Sequence, residues 1–157
     1  KTFNIAGIIS SYAIIPNADI RKKFYGWIKA NELDEANIFA PIATIAAFTK
    51  GEEWRKSMLT YIEDNVRFVE EYCEKNIPQI HPLRPQASFL VWLNCRELNL
   101  DHKDLLDLFI DKAHLALNDG EMFGQGGEGF MRMNIATPRS VIKQALDQLA
   151  TAVNNLK

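Results

Sequence analysis

Residues 115–136 read Leu-Ala-Leu-Asn-Asp-Gly-Glu-Met-Phe-Gly-Gln-Gly-Gly-Glu-Gly-Phe-Met-Arg-Met-Asn-Ile-Ala and hold five of the chain's eight glycines: Gly120, Gly124, Gly126, Gly127 and Gly129. A short apolar run precedes the glycines and an alternating run follows. This pattern predicts a strand, a flexible glycine-rich turn and a second strand. A period of two places Met131, Met133 and Ile135 on one face of the second strand and Phe130, Arg132 and Asn134 on the other. The first set is a core face. The second presents a guanidinium and a carboxamide beside the loop. An arginine on a strand can hold a carboxylate through two parallel charge-assisted hydrogen bonds. The plain alternative is an arginine on a solvated sheet face.

Gly124, Gly126 and Gly129 also spell G-x-G-x-x-G. A dinucleotide site needs a helix N-terminus directly after such glycines, so that the helix dipole faces a phosphate. Here they lead into a strand, which argues against that reading.

The rest of the chain supplies the layers around this hairpin. Ile8 to Ile15 is β-rich and stops at Pro16 and Asn17. Asp19 can cap a helix with Ile20, Phe24, Trp27 and Ile28 on its face. Residues 31–37 form an acidic loop. Pro41 can open a helix with Ile42, Ile45, Ala46 and Phe48 on its apolar side, and Gly51 interrupts. Trp54, Met58, Ile62, Val66, Val69 and Cys73 then recur at helical spacing as a core stripe. Pro78, Pro82 and Pro85 predict an extended connector over 76–86. Residues 88–95 alternate with apolar groups on both sides, which predicts a strand covered on both faces. Asp101 or His102 caps a short helix built on Leu105, Leu108 and Phe109. Thr137 and Pro138 resemble an N-cap and a first helical residue, followed by a stripe of Val141, Ala145, Leu149, Ala152 and Leu156. The order β-α-α-β-α-β-β-α predicts an α+β fold, with helices packed on a small, mainly antiparallel sheet.

Composition narrows the function. The chain has 157 residues, is 47% hydrophobic and carries a net charge of -2. That length buries a core, and the near-neutral balance without a basic run argues against nucleic acid. The longest apolar stretch, near 38–48, is broken by Pro41 and Thr44 and is too short for a bilayer, so no membrane partner is expected. Cys73 and Cys95 stand apart, which suits reduced core thiols of a cytoplasmic protein. His81, His102 and His114 do not cluster, so no metal is expected. A chain that opens on Lys1 and runs straight into Thr-Phe-Asn-Ile reads as a piece of something longer.

Lys1-Thr2-Phe3-Asn4-Ile5-Ala6-Gly7 resembles the active-site segment of fold-type I pyridoxal-phosphate enzymes, the class I/II aminotransferase family. Tyr12-Ala13-Ile14-Ile15-Pro16-Asn17, Ser88-Phe89-Leu90-Val91-Trp92-Leu93, and Phe123-Gly124 through Arg132-Met133-Asn134 follow in the family's order. The branch it most resembles is that of the PatB/MalY-like cystathionine β-lyases. The resemblance implies that 1–40 is a remnant of the large, cofactor-binding domain. It implies that 41–157 is the small C-terminal domain with its interdomain helix. Lys1 then stands where the family's lysine bonds the cofactor aldehyde and carries the Cα proton, a catalytic and cofactor-binding role. Arg132 matches the clamp on the substrate α-carboxylate, and Asn134 and Gly124 match supporting positions. Ile9 stands where aminotransferases usually carry a phosphate-binding arginine, which favours the lyase branch. The family's cofactor cradle lies mostly before the lysine, so the chain alone is expected to be inactive.

Three functions follow from the resemblance. One is a pyridoxal-phosphate carbon–sulfur β-lyase, acting on a cysteine-type amino acid to release a thiol, pyruvate and ammonia. The second is an aminotransferase. The third is a non-enzymatic effector-sensing domain of a regulator. The resemblance also implies a homodimer, with the loop over 31–41 reaching across to a partner.

Overall fold

The computed structural model describes residues 1–35 and 37–156; Ala36, inside the acidic loop, and Lys157 lie outside the described residues. The chain forms two compact units, 1–57 and 58–157.

In the first unit a 3₁₀ turn over Ala6–Ile8 ends at Ile9 in the left-handed region, with φ 51°. The strand expected over 8–15 is absent among the described residues: the run leaves this turn and continues without a ladder. β-branched residues favour extension, but a strand exists only by pairing, and no strand among the described residues of this unit pairs with it. Helix α1 covers Ala18–Ala30. Its cap is Asn17 and not Asp19: Asn17 Oδ1 accepts from the amides of Asp19 and Ile20, both at 3.0 Å. Asp19 instead sits in the first turn, where its charge meets the positive end of the helix dipole. Helix α2 covers Phe39–Lys50 and starts two residues before Pro41. Asn37 Oδ1 accepts from the Phe39 amide at 2.8 Å, and Pro41 falls in the first turn, where its missing N–H costs nothing. Gly51 follows α2, and only glycine fits there, since a Cβ would lie 2.4 Å from the Ala47 oxygen and 2.8 Å from the Phe3 ring.

Helix α3, Glu52–Asn76, runs from the first unit into the second. Its buried stripe is Ile62, Val66, Val69 and Cys73. Trp54 lies outside that stripe: it is 48% exposed and stands beside the Phe3 ring at 6.4 Å.

The second unit is built on a four-stranded antiparallel sheet of order β1-β2-β4-β3. Strand β1, His81–Leu83, lies inside the segment expected to be only a connector. Pro82 is tolerated because β1 is an edge strand. Strand β2 is Leu90–Asn94, β3 is Asn118–Asp119 and β4 is Phe130–Asn134. Val91, Leu93, Met131, Met133 and Ile135 are buried in one core with the α3 stripe. The other face of β2 is only half-covered at Leu90 and Trp92, so burial is not two-sided as expected. Helix α4, His102–Asp107, is capped by Asp101, whose Oδ1 accepts from the Asp104 amide at 2.8 Å. A π-turn over Leu108–Lys112 follows and buries Leu108 and Phe109.

Helix α5 covers Arg139–Asn154. Thr137 does not cap it; the residue before the helix is Pro138 and makes no side-chain cap bond. The buried stripe is Ile142, Leu146, Leu149 and Val153, while Val141 is half exposed. The expected stripe is one residue out of phase at its start, and the helix begins one residue later than Thr137 and Pro138 suggest. The start is fixed by a buried polar knot. Asn65 on α3 is fully buried; its Nδ2 donates to the carbonyls of Ile135 (2.9 Å) and Thr137 (3.2 Å). Its Oδ1 accepts from Arg139 Nε at 2.7 Å.

The α+β class expected from the sequence is the class observed. Among the described residues the order is α-α-α-β-β-α-β-β-α.

Candidate functional site

The glycine-rich segment is a pinned structure, not the flexible turn expected. The Gly120 amide donates to the Phe130 carbonyl (2.9 Å), the Phe130 amide to Gly127 (3.1 Å) and the Cys95 amide to Gly129 (2.9 Å). The backbones of Gly120 and Gly127 cross so closely that a Cβ on Gly127 would lie 2.0 Å from the Gly120 oxygen. Arg96 stitches the loop further, with Nε donating to the Glu128 carbonyl at 3.0 Å and Cζ 4.7 Å above the Phe130 ring. The loop runs into β4 and not into a helix.

This frame holds Arg132. Register pairs Arg132 with Trp92 on β2 and with Asn118 on β3. Its Nη2 donates to Asn118 Oδ1 at 2.9 Å, and its Cζ lies 4.1 Å from the centre of the Phe123 ring. Its Nε is buried and makes no hydrogen bond within the chain. A guanidinium held over an aromatic face, with one arm tied and an inner donor unsatisfied, is set for an external acceptor. A planar carboxylate matches that fork.

Asn134 shares the strand face but is turned to its own chain: its Oδ1 accepts from the Ala136 amide at 2.9 Å. Gly124, with φ 100°, ends the 3₁₀ turn Glu121–Phe123 and aims Phe123 under Arg132.

A cleft of about 330 Å³ is lined by Leu83, Trp92, Phe123, Phe130 and residues 124–127, and so shares Phe123 with the surroundings of Arg132. The rings of Phe123 and Phe130 meet Trp92 edge-on at 5.3 and 6.1 Å. Sequence reasoning placed Phe130 on the face of Arg132 but missed Trp92, Asn118 and Phe123 as its neighbours. The cross-strand register brings them together, and no local pattern encodes it.

Lys1 lies in the other unit. It is exposed and lines a cleft of about 200 Å³ with Thr2, Phe3, Ser10, Tyr12 and Thr44 among others. A cleft whose lining includes a primary amine and the hydroxyl residues Ser10 and Tyr12 has a donor set that suits an aldehyde cofactor with polar ring substituents. Lys1 therefore falls in unit 1, and Arg132 and Asn134 in unit 2.

Cys73 and Cys95 are free and buried as expected. Burial pushes both thiols up to about 12. Among the described residues no group of His, Cys, Asp and Glu is arranged to hold a metal. His102 does have acidic neighbours, with Nδ1 2.9 Å from Glu121 and Nε2 3.4 Å from Asp119. No helix among the described residues is long and apolar enough to cross a membrane.

No family model matches the chain. It is 35% identical to cystathionine beta-lyase PatB of Bacillus subtilis over 154 residues, 98% of this chain and 40% of that protein. By fold it superposes on cystalysin of Treponema denticola, a structure containing pyridoxal 5'-phosphate, with TM-score 0.87. The identity there is 34%, over 99% of this chain and 40% of that one. The chain matches the C-terminal domain of the fold-type I pyridoxal-phosphate enzymes. A PLP-bound Clostridium difficile 630 protein described as an aminotransferase gives TM-score 0.94 at 35% identity, over 98% of this chain and 40% of that one. The chain thus spans about two fifths of the length of the relatives it matches.

Proposed function

We propose that the whole protein is a pyridoxal-phosphate-dependent carbon–sulfur β-lyase acting on a cysteine-type amino acid. The observation that carries this reading is the Arg132 guanidinium, stacked on Phe123, tied to Asn118 and left with a buried donor unsatisfied. The likeness to PatB and cystalysin supports the branch.

Arg132 binds the substrate α-carboxylate and so fixes the orientation of the Cα–H bond. Asn134, on the same strand face, makes a supporting contact. Lys1 Nζ holds the cofactor in the resting protein and afterwards takes the proton from the substrate Cα. Pyridoxal phosphate, when bound, supplies an aldehyde for amines and an electron sink for charge developing at Cα. Residues 1–40 belong to the cofactor-binding domain in this reading, and 41–157 to the small domain with its interdomain helix.

The assembly is a cytoplasmic homodimer. Its support is the apolar surface of the first unit, where Trp27, Ile42 and Phe48 are 62%, 64% and 68% exposed. Apolar surface of that kind is covered in the whole protein, by the rest of the cofactor-binding domain and by a partner subunit.

An aminotransferase is the second reading, favoured by the likeness to the Clostridium difficile protein. The test is thiol and pyruvate release from cystathionine by the whole protein and its Lys1→Ala variant. Pyridoxal-phosphate-dependent release lost in Lys1→Ala is the expected result. Undiminished release by Lys1→Ala overturns the assignment.

A further inference from the structure

We infer that His102 is a positioning residue for Arg132: standing between the carboxylates of Asp119 and Glu121, it holds the short segment that supplies both partners of the guanidinium. The consequence for substrate binding rests on the reading of Arg132 as the carboxylate clamp.

Both partners of Arg132 come from one segment. Its Nη2 donates to Asn118 Oδ1 at 2.9 Å, and its Cζ lies 4.1 Å from the centre of the Phe123 ring. That segment is weakly tied through its backbone. It begins as β3, an edge strand of two residues, and so short a strand offers few ladder bonds. It ends as the 3₁₀ turn Glu121–Phe123. Asp119 Oδ1 accepts from the Glu121 amide at 3.0 Å and so joins the strand to the turn. His102 meets that junction from outside. Its Nε2 lies 3.4 Å from Asp119 Oδ2, and its Nδ1 lies 2.9 Å from Glu121 Oε1. Asp119 follows Asn118 directly, and Glu121 opens the turn that carries Phe123. Two carboxylates that face one ring repel each other, and a positive charge between them replaces that repulsion with two attractions. The ring is itself well anchored. His102 is the first residue of α4, which is capped by Asp101 and docked on the core through the buried Leu105. The contact therefore ties the edge of the sheet, and with it the seat of Arg132, to a fixed helix.

The test compares the whole protein with its His102→Ala, His102→Lys and Arg132→Ala variants in two measurements. The first is amide hydrogen exchange, which reads local opening without any ligand. His102→Ala should speed exchange over residues 118–123 and leave the buried part of α3 unchanged. His102→Lys keeps a cation within reach of both carboxylates and should restore most of the protection. The second is binding of two small probes to the protein loaded with pyridoxal phosphate. 3-(Methylthio)propanoate offers a carboxylate and no amine; ethylamine offers an amine and no carboxylate. His102→Ala should weaken the carboxylate probe about three- to tenfold, the worth of two partly exposed ion pairs, with His102→Lys recovering at least half of the loss. Ethylamine should bind all four proteins within about twofold. Unchanged exchange over 118–123 overturns the inference. So does an equal loss of both probes in His102→Ala, or a carboxylate affinity that Arg132→Ala destroys and His102→Ala leaves intact. If Arg132→Ala binds the carboxylate as wild type does while His102→Ala still speeds exchange, the clamp reading falls and the tie from His102 stands.

Discussion

Replacing Arg132 by alanine in the whole protein removes the proposed clamp on the substrate carboxylate. Three features set the magnitude. The guanidinium is stacked at 4.1 Å on Phe123, one arm is fixed by Asn118 at 2.9 Å, and the buried Nε has no partner within the chain. It is pre-organised, so little side-chain entropy is lost when a carboxylate arrives. Removing one member of such a desolvated charge pair costs about 2–5 kcal/mol. That is about 30- to 5,000-fold in kcat/KM. kcat should fall together with affinity, because the clamp also sets the direction of the Cα–H bond. Arg132→Lys keeps the charge but loses the Nε donor and the planar fork, so it should recover only part of the activity. The assay is steady-state kinetics on wild type and both variants, with circular dichroism to confirm folding. If both variants stay within about threefold of wild type, well under 1 kcal/mol, Arg132 is an ordinary sheet-face arginine and the site is misassigned.

Three further outcomes test the frame around the site. Asn65→Ala strips partners from the buried Ile135 carbonyl, the half-buried Thr137 carbonyl and the Arg139 guanidinium, and should destabilise the fold by about 2–4 kcal/mol, read by denaturant unfolding; a loss under about 0.5 kcal/mol would contradict the role given to that knot. Gly127→Ala puts a Cβ 2.0 Å from the Gly120 oxygen, so the loop must open; carboxylate binding should drop with the fold's near-ultraviolet signal at Trp92 altered, and a variant with unchanged affinity would show that the crossing does not hold Phe123 in place. Cys73 and Cys95 titrate near about 8.5 when unfolded but are raised to about 12 in the fold, so the folded state binds more protons in between. Their contribution is complete below about pH 8.5 and is lost as pH rises towards 12, so stability should decline over that window and decline less in a Cys73→Ala, Cys95→Ala protein.

The core of the second unit was legible because burial imposes periods. Met131, Met133 and Ile135 follow a strand period of two, and Ile62, Val66, Val69 and Cys73 follow a helical one. Where the expectation failed, long-range pairing decided the outcome. The run over 8–15 has strand composition but no partner, whereas His81–Leu83, with a proline in it, is a strand because β2 lies beside it. Asn65 fixes the start of α5 from more than 70 residues away, which Thr137 and Pro138 do not reveal. At the site, Arg132 could be singled out from its strand face and its resemblance. Asn118, Phe123 and Trp92 could not, since only the register of three strands brings them to it. Family resemblance supplied Lys1, which has no local pattern of its own.

The most direct test of the central claim is the fate of the amino group. The whole protein, saturated with pyridoxal phosphate, is given cystathionine with and without a keto-acid acceptor, and every product is quantified. The lyase account predicts thiol, pyruvate and ammonia in equal amounts, unaffected by the acceptor. Amino transfer that requires the acceptor, with no thiol released, would contradict it.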